Sequence, residues 1–209
     1  MENKTQLDDL TMIRNLMEKS TKFMSLSGLS GIFIGIYALI GAAVAYWFLE
    51  IEEEFIDYER IRQVDFLLFV IIDAGLVLFF SLATTFILSK RKSSKMGIGF
   101  WNKPAKKLVF SIAIPLAIGG AFILILYYHN ILYLIAPATL IFYGMALMNA
   151  SKESVKELFY MGLIEVVLGF TACFDTHQGL FYWAFGFGIL HILYGIIIHL
   201  KYDSKDKIR

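Results

Sequence analysis

Six long runs of apolar residues alternate with short polar segments along the chain. The runs cover residues 25–49, 66–89, 108–128, 131–149, 155–174 and 179–200. At 1.5 Å per residue, a run of about 20 residues crosses a hydrocarbon core about 30 Å thick. The apolar residues are continuous and do not alternate with polar ones, which predicts helices and not the strands of a barrel. The pattern therefore predicts an all-α integral membrane protein with a six-helix transmembrane domain over residues 25–200.

Composition agrees with this prediction and narrows the possible function classes. Of 209 residues, 58% are hydrophobic and 18% are charged, whereas soluble domains are about 45–50% apolar and about 25% charged. Only short connections separate the runs, so no soluble catalytic domain is expected between them. The single cysteine, Cys173, excludes an internal disulfide and a CxxC-type metal site.

The distribution of positive charge predicts the orientation. The two ends and the second and fourth connections hold 17 of the 19 Lys and Arg residues, and only Arg60 and Arg62 lie in the other connections. Short segments rich in Lys and Arg stay in the cytoplasm. Both ends of this multi-pass protein are therefore predicted to be cytoplasmic.

Residues 1–24 form a polar segment before the first span, and residues 201–209 form a short cytoplasmic tail. Within the first segment, Leu7, Leu10, Ile13 and Met17 recur at helical spacing. This pattern predicts an amphipathic helix that lies on the cytoplasmic membrane surface. The alternative is a helix that docks a cytoplasmic protein partner.

The odd-numbered spans share a spacing of small residues. Each begins near a lysine, followed six residues later by a small residue and seven residues after that by glycine: Lys22, Gly28 and Gly35; Lys107, Ala113 and Gly120; Lys156, Gly162 and Gly169. The fourth and sixth spans share a Tyr-Gly pair, Tyr143–Gly144 and Tyr194–Gly195. One interpretation is three successive helical hairpins, and parallel repeats of this kind occur in transporters. The alternative is chance, because glycine is common in membrane helices.

Three ionisable residues fall in the middle third of the predicted spans: Asp73, Glu165 and His191. Their expected depths are about 10, 15 and 18 Å at 1.5 Å per residue. A charge at such depth costs at least about 2.5–3.5 kcal/mol, so each should face protein or water. Ser81 and Thr84 share a helical sector with Asp73, and Tyr143 offers a further hydroxyl. These six residues are the predicted substrate- or ion-binding site.

Four interpretations of this polar set stay open. A structural network would only hold the helices in register, with one carboxyl protonated or paired with His191. A transporter or channel-like protein would use the set to pass protons, cations or a small solute. A metal- or haem-dependent membrane enzyme would use the same groups as ligands, although no cofactor is predicted. No motif supports intramembrane hydrolysis, because HExxH and GxSxG are absent from the sequence.

The second connection is expected to lie at the cytoplasmic lipid surface. Its interface residues are Lys90, Arg91, Lys92, Trp101 and Lys103. Cations near anionic headgroups contribute about 1 kcal/mol each, and the topology already requires them, so nucleic-acid binding is not predicted. A second hypothesis for the whole protein is a membrane scaffold or sensor that acts through this connection and the N-terminal helix. The glycine stripes also suit a homo-oligomer.

Parts of the last three spans resemble a group of small, functionally uncharacterised membrane proteins of Bacteroidota-type bacteria. The similar stretches are residues 135–144 with 149–152, 162–169 and 185–191. The resemblance implies a bacterial inner membrane and contributes no activity or functional residue.

Overall fold

A computed structural model describes residues 27–54, 59–97 and 99–204. Within these ranges the chain is helical, and six helices are long and apolar enough to cross a membrane. Five of them are α1 (Gly28–Glu54), α2 (Glu59–Lys95), α3 (Lys103–Tyr128), α4 (Ile135–Ala150) and α5 (Glu157–Phe174). The sixth, α6, is one rod made of α-helical Gly179–Trp183, π-helical Ala184–Leu190, α-helical His191–Ile198 and π-helical His199–Asp203. Short 3-10 turns, Leu132–Leu134 and Thr176–Gln178, precede α4 and α6.

The helices expose large apolar side chains and bury small ones. Phe79, Leu124 and Leu200 are each more than 60% exposed, whereas Ala38 and Ala146 are buried. A soluble protein avoids such a continuous apolar surface, but a lipid-facing surface requires it, because lipid chains are as apolar as leucine. The distribution is that of a multi-pass membrane bundle.

Helices that follow one another along the chain run antiparallel, as do α1 and α6. We call the end where α1 begins at Gly28 and α6 ends at Asp203 the base, and the opposite end the top. Near the top, the ring of Phe48 in α1 stacks on Phe69 in α2, with 4.0 Å between ring centroids. Near the base, the Asn149 side chain of α4 donates a hydrogen bond to the Ser111 carbonyl of α3.

The pairing of the helices differs from three successive hairpins. The α1–α2 and α3–α4 hairpins are formed, but α5 packs mainly on α4 and α6 packs mainly on α1. A smaller contact of α6 with α4 and α5 joins the two halves. Small residues explain why α5 packs on α4 and α6 packs on α1, because glycine allows two backbones to approach where no side chain separates them.

Two boundaries also differ from the apolar runs. Helix α2 extends to Lys95, well beyond residue 89, and it ends with Lys92 and Lys95 in its last turn, where cations complement the helix dipole. Helix α3 begins at Lys103, because the Asn102 side chain caps it by accepting a hydrogen bond from the Ala105 N–H at 2.9 Å. The predicted amphipathic helix of residues 1–24 lies outside the described residues.

Candidate functional site

Three side chains from three helices meet in the middle of the bundle: Tyr143 on α4, Glu165 on α5 and His191 on α6. The Tyr143 hydroxyl lies 2.7 Å from His191 Nε2. The nearest Glu165 oxygen, Oε1, lies 3.8 Å from His191 Nδ1. All three predicted residues thus belong to one cluster, which lies where α6 crosses the α4–α5 pair.

The backbone determines which nitrogen of His191 carries hydrogen. His191 Nδ1 lies 3.1 Å from the carbonyl oxygen of Gly186. Because a carbonyl only accepts hydrogen bonds, Nδ1 must donate there. In a neutral ring Nε2 then accepts, so the Tyr143 hydroxyl is the donor in the shorter bond. The result is a chain of hydrogen bonds from Tyr143 through His191 to the backbone of α6.

Glu165 is enclosed without a hydrogen bond. Its side chain is 0% exposed, and neither carboxyl oxygen has a hydrogen-bond partner among the described residues. The separation of 3.8 Å from His191 is too long for a hydrogen bond. A buried polar group without partners is costly, and a purely structural role would be served better by an apolar side chain.

Gly186 makes room for the carboxyl group. A Cβ atom added to Gly186 would collide with Glu165 Oε2 and would lie 2.6 Å from Leu140 Cδ2. Gly186 belongs to the π-helical stretch that ends immediately before His191. Such wider turns are frequent at functional sites. The same stretch places the Phe187 ring against Tyr143 and His191, with centroids 4.8 and 5.9 Å apart.

Asp73 does not join this cluster. It is half-buried on α2 and packs against α1, where a Cβ atom added to Gly41 would lie 3.2 Å from Asp73 Oδ2. Helix α2 packs chiefly on α1 and lacks a substantial contact with α5 or α6 within the described ranges. The expectation of one site shared by Asp73, Glu165 and His191 is therefore corrected. Asp73 is separated from Glu165 and His191 because α2 packs chiefly on α1 and turns Asp73 toward it.

Ser81 and Thr84 stay with Asp73 on α2. The Thr84 hydroxyl lies 3.2 Å from the Tyr37 hydroxyl of α1. Ser81 is buried, and its hydroxyl has no hydrogen-bond partner in the described part of the chain. Both residues thus lie on the α2 surface that packs on α1 and not at the Glu165 cluster.

Four of the five predicted lipid-interface residues are exposed at the base: Lys90, Arg91, Trp101 and Lys103. The fifth, Lys92, has a different position. Its Nζ lies 2.6 Å from Asp203 Oδ1 at the end of α6. Lys92 therefore connects two helices and does not extend freely toward headgroups.

The sequence analysis missed Asp203, which joins three helices at the base. Besides Lys92 of α2, its carboxylate accepts a hydrogen bond from the Gly28 N–H at the start of α1. It also lies 3.2 Å from His199 Nδ1, one helical turn earlier in α6. The spacing of four between His199 and Asp203 is visible in the sequence, but contacts to α1 and α2 are not.

Glu157 forms a second unpredicted polar cluster at the base. Its carboxylate makes an ion pair with Lys201 and accepts a hydrogen bond from the Tyr202 hydroxyl at 3.0 Å. Glu157 begins α5 and the other two residues end α6. This cluster therefore closes the base of the contact between α5 and α6.

The metal alternative lacks a ligand set in the described part of the chain. Within residues 27–54, 59–97 and 99–204, no group of three or more His, Cys, Asp or Glu side chains is placed to hold a metal ion. No family model, curated protein or solved structure matches this chain. The function is therefore inferred from the geometry of the site.

Proposed function

We propose that this protein passes protons across the membrane, with Glu165 as the proton-binding group at mid-depth. The observation that carries the proposal is the enclosed Glu165 carboxyl, which has no hydrogen-bond partner among the described residues and lies 3.8 Å from a histidine. Ionisable groups retained inside membrane bundles typically mark ion pathways or proton relays.

A proton suits this site better than a larger cation. Calcium takes six to eight oxygen ligands and magnesium near-octahedral coordination, whereas Glu165 is the acidic side chain of the cluster and is fully enclosed. A carboxyl group binds one proton without further ligands. His191 is a suitable exchange partner, because its Nδ1 lies 3.8 Å from Glu165 Oε1, and a closer approach of these two atoms would make a hydrogen bond.

Tyr143 extends the relay on the side of His191 away from Glu165. Its hydroxyl donates to Nε2 at 2.7 Å, and the other ring nitrogen faces Gly186 and Glu165. Nε2 takes the Tyr143 hydroxyl proton as the Tyr143 oxygen takes a proton from hydronium, so both ring nitrogens carry hydrogen. The Nδ1 proton then passes to the ionised Glu165 carboxylate, which becomes the neutral acid. His191 is left in its other neutral tautomer, with hydrogen on Nε2, and regains the first by exchanging protons with water.

We place the base at the cytoplasmic face of a bacterial inner membrane. The exposed cations of the second connection lie at the base, and short segments rich in Lys and Arg stay in the cytoplasm. Anionic headgroups are the expected lipid partners of these cations and of Trp101. The orientation is testable by labelling single cysteines from each side of the membrane.

Proton flux in liposomes tests the function. Purified protein is reconstituted with a trapped pH-sensitive dye, and flux is followed under an imposed potential. We expect flux from the wild type, loss of flux from Glu165→Gln, and reduced flux from Tyr143→Phe. Asp73→Asn is the matched control, because it removes a carboxyl group from a membrane helix away from the cluster.

Two outcomes would overturn the proposal. The first is folded wild-type protein without flux, which would favour the scaffold hypothesis based on the basic connection. The second is flux from Glu165→Gln at the wild-type rate, which would assign any conduction to another route.

A further inference from the structure

The α1–α6 contact is made by backbone against backbone. A Cβ atom added to Gly28 would lie 2.5 Å from the Gly195 carbonyl oxygen, and one added to Gly35 would lie 3.0 Å from the Ile192 nitrogen. Each distance is shorter than ordinary contacts, so a side chain at either glycine would force the helices apart. The two helices consequently have little freedom to move relative to each other.

The α4–α5 contact repeats this arrangement at the same spacing. Gly162 lies against the Gly144 carbonyl, and a Cβ atom added to Gly169 would lie 3.0 Å from the Ile141 nitrogen. Gly162 precedes Gly169 by seven residues, as Gly28 precedes Gly35. Ile192 precedes Gly195 by three residues in α6, and Ile141 precedes Gly144 by three residues in α4.

The reverse contacts match as well. A Cβ atom added to Gly195 would lie 2.6 Å from the Ile32 nitrogen, and one added to Gly144 would lie 2.9 Å from the Val166 nitrogen. Ile32 and Val166 each follow the glycine of their own helix by four residues. The α6–α1 and α4–α5 pairs are therefore two copies of one structural unit.

The contact between the two pairs has a different character, because side chains mediate it. At the top, the position of a Cβ atom added to Gly179 is 3.7 Å from the Ala136 Cβ, which is ordinary van der Waals contact. At mid-depth, the contact consists of the Tyr143–His191 hydrogen bond beside Glu165. A contact made through side chains permits one helix to slide past another, whereas interlocked backbones do not.

The base of this contact is closed by the Glu157 cluster and by apolar residues. Leu147, Leu158 and Met161 from the α4–α5 pair form a buried core with Ile198 of α6. On the base side of Glu165, the two pairs are therefore joined by the Glu157 cluster and the apolar core. On the top side they are joined by the van der Waals contact of Gly179 with Ala136. The described structure is closed at both ends.

We propose that the α1–α6 pair and the α4–α5 pair are the two rigid bodies of an alternating-access cycle. The bodies rock about the Tyr143–Glu165–His191 cluster and open the top and the base in turn. Many transporters move one repeat against another around a fixed site at mid-depth. The inference rests on the proposed proton transport and specifies which helices move.

A reversible cross-link between the bodies tests the movement. Ala136→Cys and Gly179→Cys are introduced together in a Cys173→Ser background, since their Cβ separation of 3.7 Å suits a disulfide. We expect oxidation with copper phenanthroline to form the disulfide and to abolish proton flux, and reduction to restore it. The Ala136→Ser/Gly179→Ser pair is the matched control, because serine has a similar size and cannot form the bond.

Two results would overturn the inference. One is unchanged flux from fully cross-linked protein, which shows that transport needs no separation of the bodies at the top. The other is failure of the disulfide to form under oxidation in folded protein, which shows that Ala136 and Gly179 are not in contact.

A distance measurement separates failure of the movement from failure of the transport hypothesis. Spin labels are placed at exposed residues at the top. One labelled pair, Trp47 and Phe174, spans the two bodies, and the other, Tyr133 and Phe174, lies within the α4–α5 pair. Double electron–electron resonance should give a broad or two-peaked distance distribution for the first pair and one narrow peak for the second. Equally narrow peaks refute rocking even if flux is present, whereas rocking without flux refutes only the proton hypothesis.

Discussion

Substitution of three glycines by alanine tests which helices are locked together. Gly35, Gly120 and Gly169 occupy the same place in the spacing shared by the odd-numbered spans. The structure gives them different surroundings. A Cβ atom at Gly35 would lie 2.6 Å from Ile192 Cγ1, and one at Gly169 would lie 2.9 Å from the Pro137 carbonyl oxygen. A Cβ atom at Gly120 would have no atom of the described residues within 4 Å.

The expected magnitudes follow from two opposing effects. Replacing glycine by alanine inside a helix contributes about 0.8–1.0 kcal/mol through helix propensity. Inserting a methyl group into a packed contact costs about 1–3 kcal/mol, because neighbouring atoms must shift. At Gly35 and Gly169 the nearest backbone atoms cannot move alone, so we expect the free energy of unfolding to fall by about 1–2 kcal/mol. At Gly120 only the first effect acts, and stability should be unchanged or higher.

The assay is thermal unfolding of the three purified variants in one detergent, followed by the loss of monodisperse protein. For a chain of this size, 1 kcal/mol corresponds to a Tm shift of about 2–4 °C. Wild-type stability of Gly35→Ala and Gly169→Ala would refute the backbone contacts. An equal loss from Gly120→Ala would show that α3 has a packing partner on that face.

Two further predictions concern the ends of helices. Asn102→Ala removes the cap that accepts from the Ala105 N–H and should lower the free energy of unfolding by about 1 kcal/mol, measured in the same assay, with wild-type stability as the contradicting result. Asp203→Asn removes the carboxylate that pairs with Lys92 and should cost about 1.5–3 kcal/mol, the range for hydrogen bonds to charged groups. The exposed Asp175→Asn is its control, and equal effects of the two substitutions would argue against the pairing at the base.

The mid-depth site was only partly predictable from sequence. Glu165 and His191 are identifiable as candidate site residues from the sequence, because ionisable residues are rare and costly at the centre of a membrane span. Tyr143 was included for its hydroxyl group and lies in hydrogen-bond contact with His191. Gly186 and its carbonyl had no distinguishing signal, because glycine is common in membrane helices and the π-helical stretch depends on local packing.

The sequence by itself determined the six membrane-spanning helices, because hydrophobicity and length belong to each segment and need no partner. It did not determine which segments pair. Gly120 and Gly169 occupy the same place in the shared spacing. Within the described part of the chain Gly120 has no neighbour where a side chain would lie, whereas Gly169 meets the backbone of α4. Asp73, like Glu165, falls in the middle third of its span, but it lies against α1. Pairing and rotation depend on shape complementarity between distant segments, and only the tertiary structure decides them.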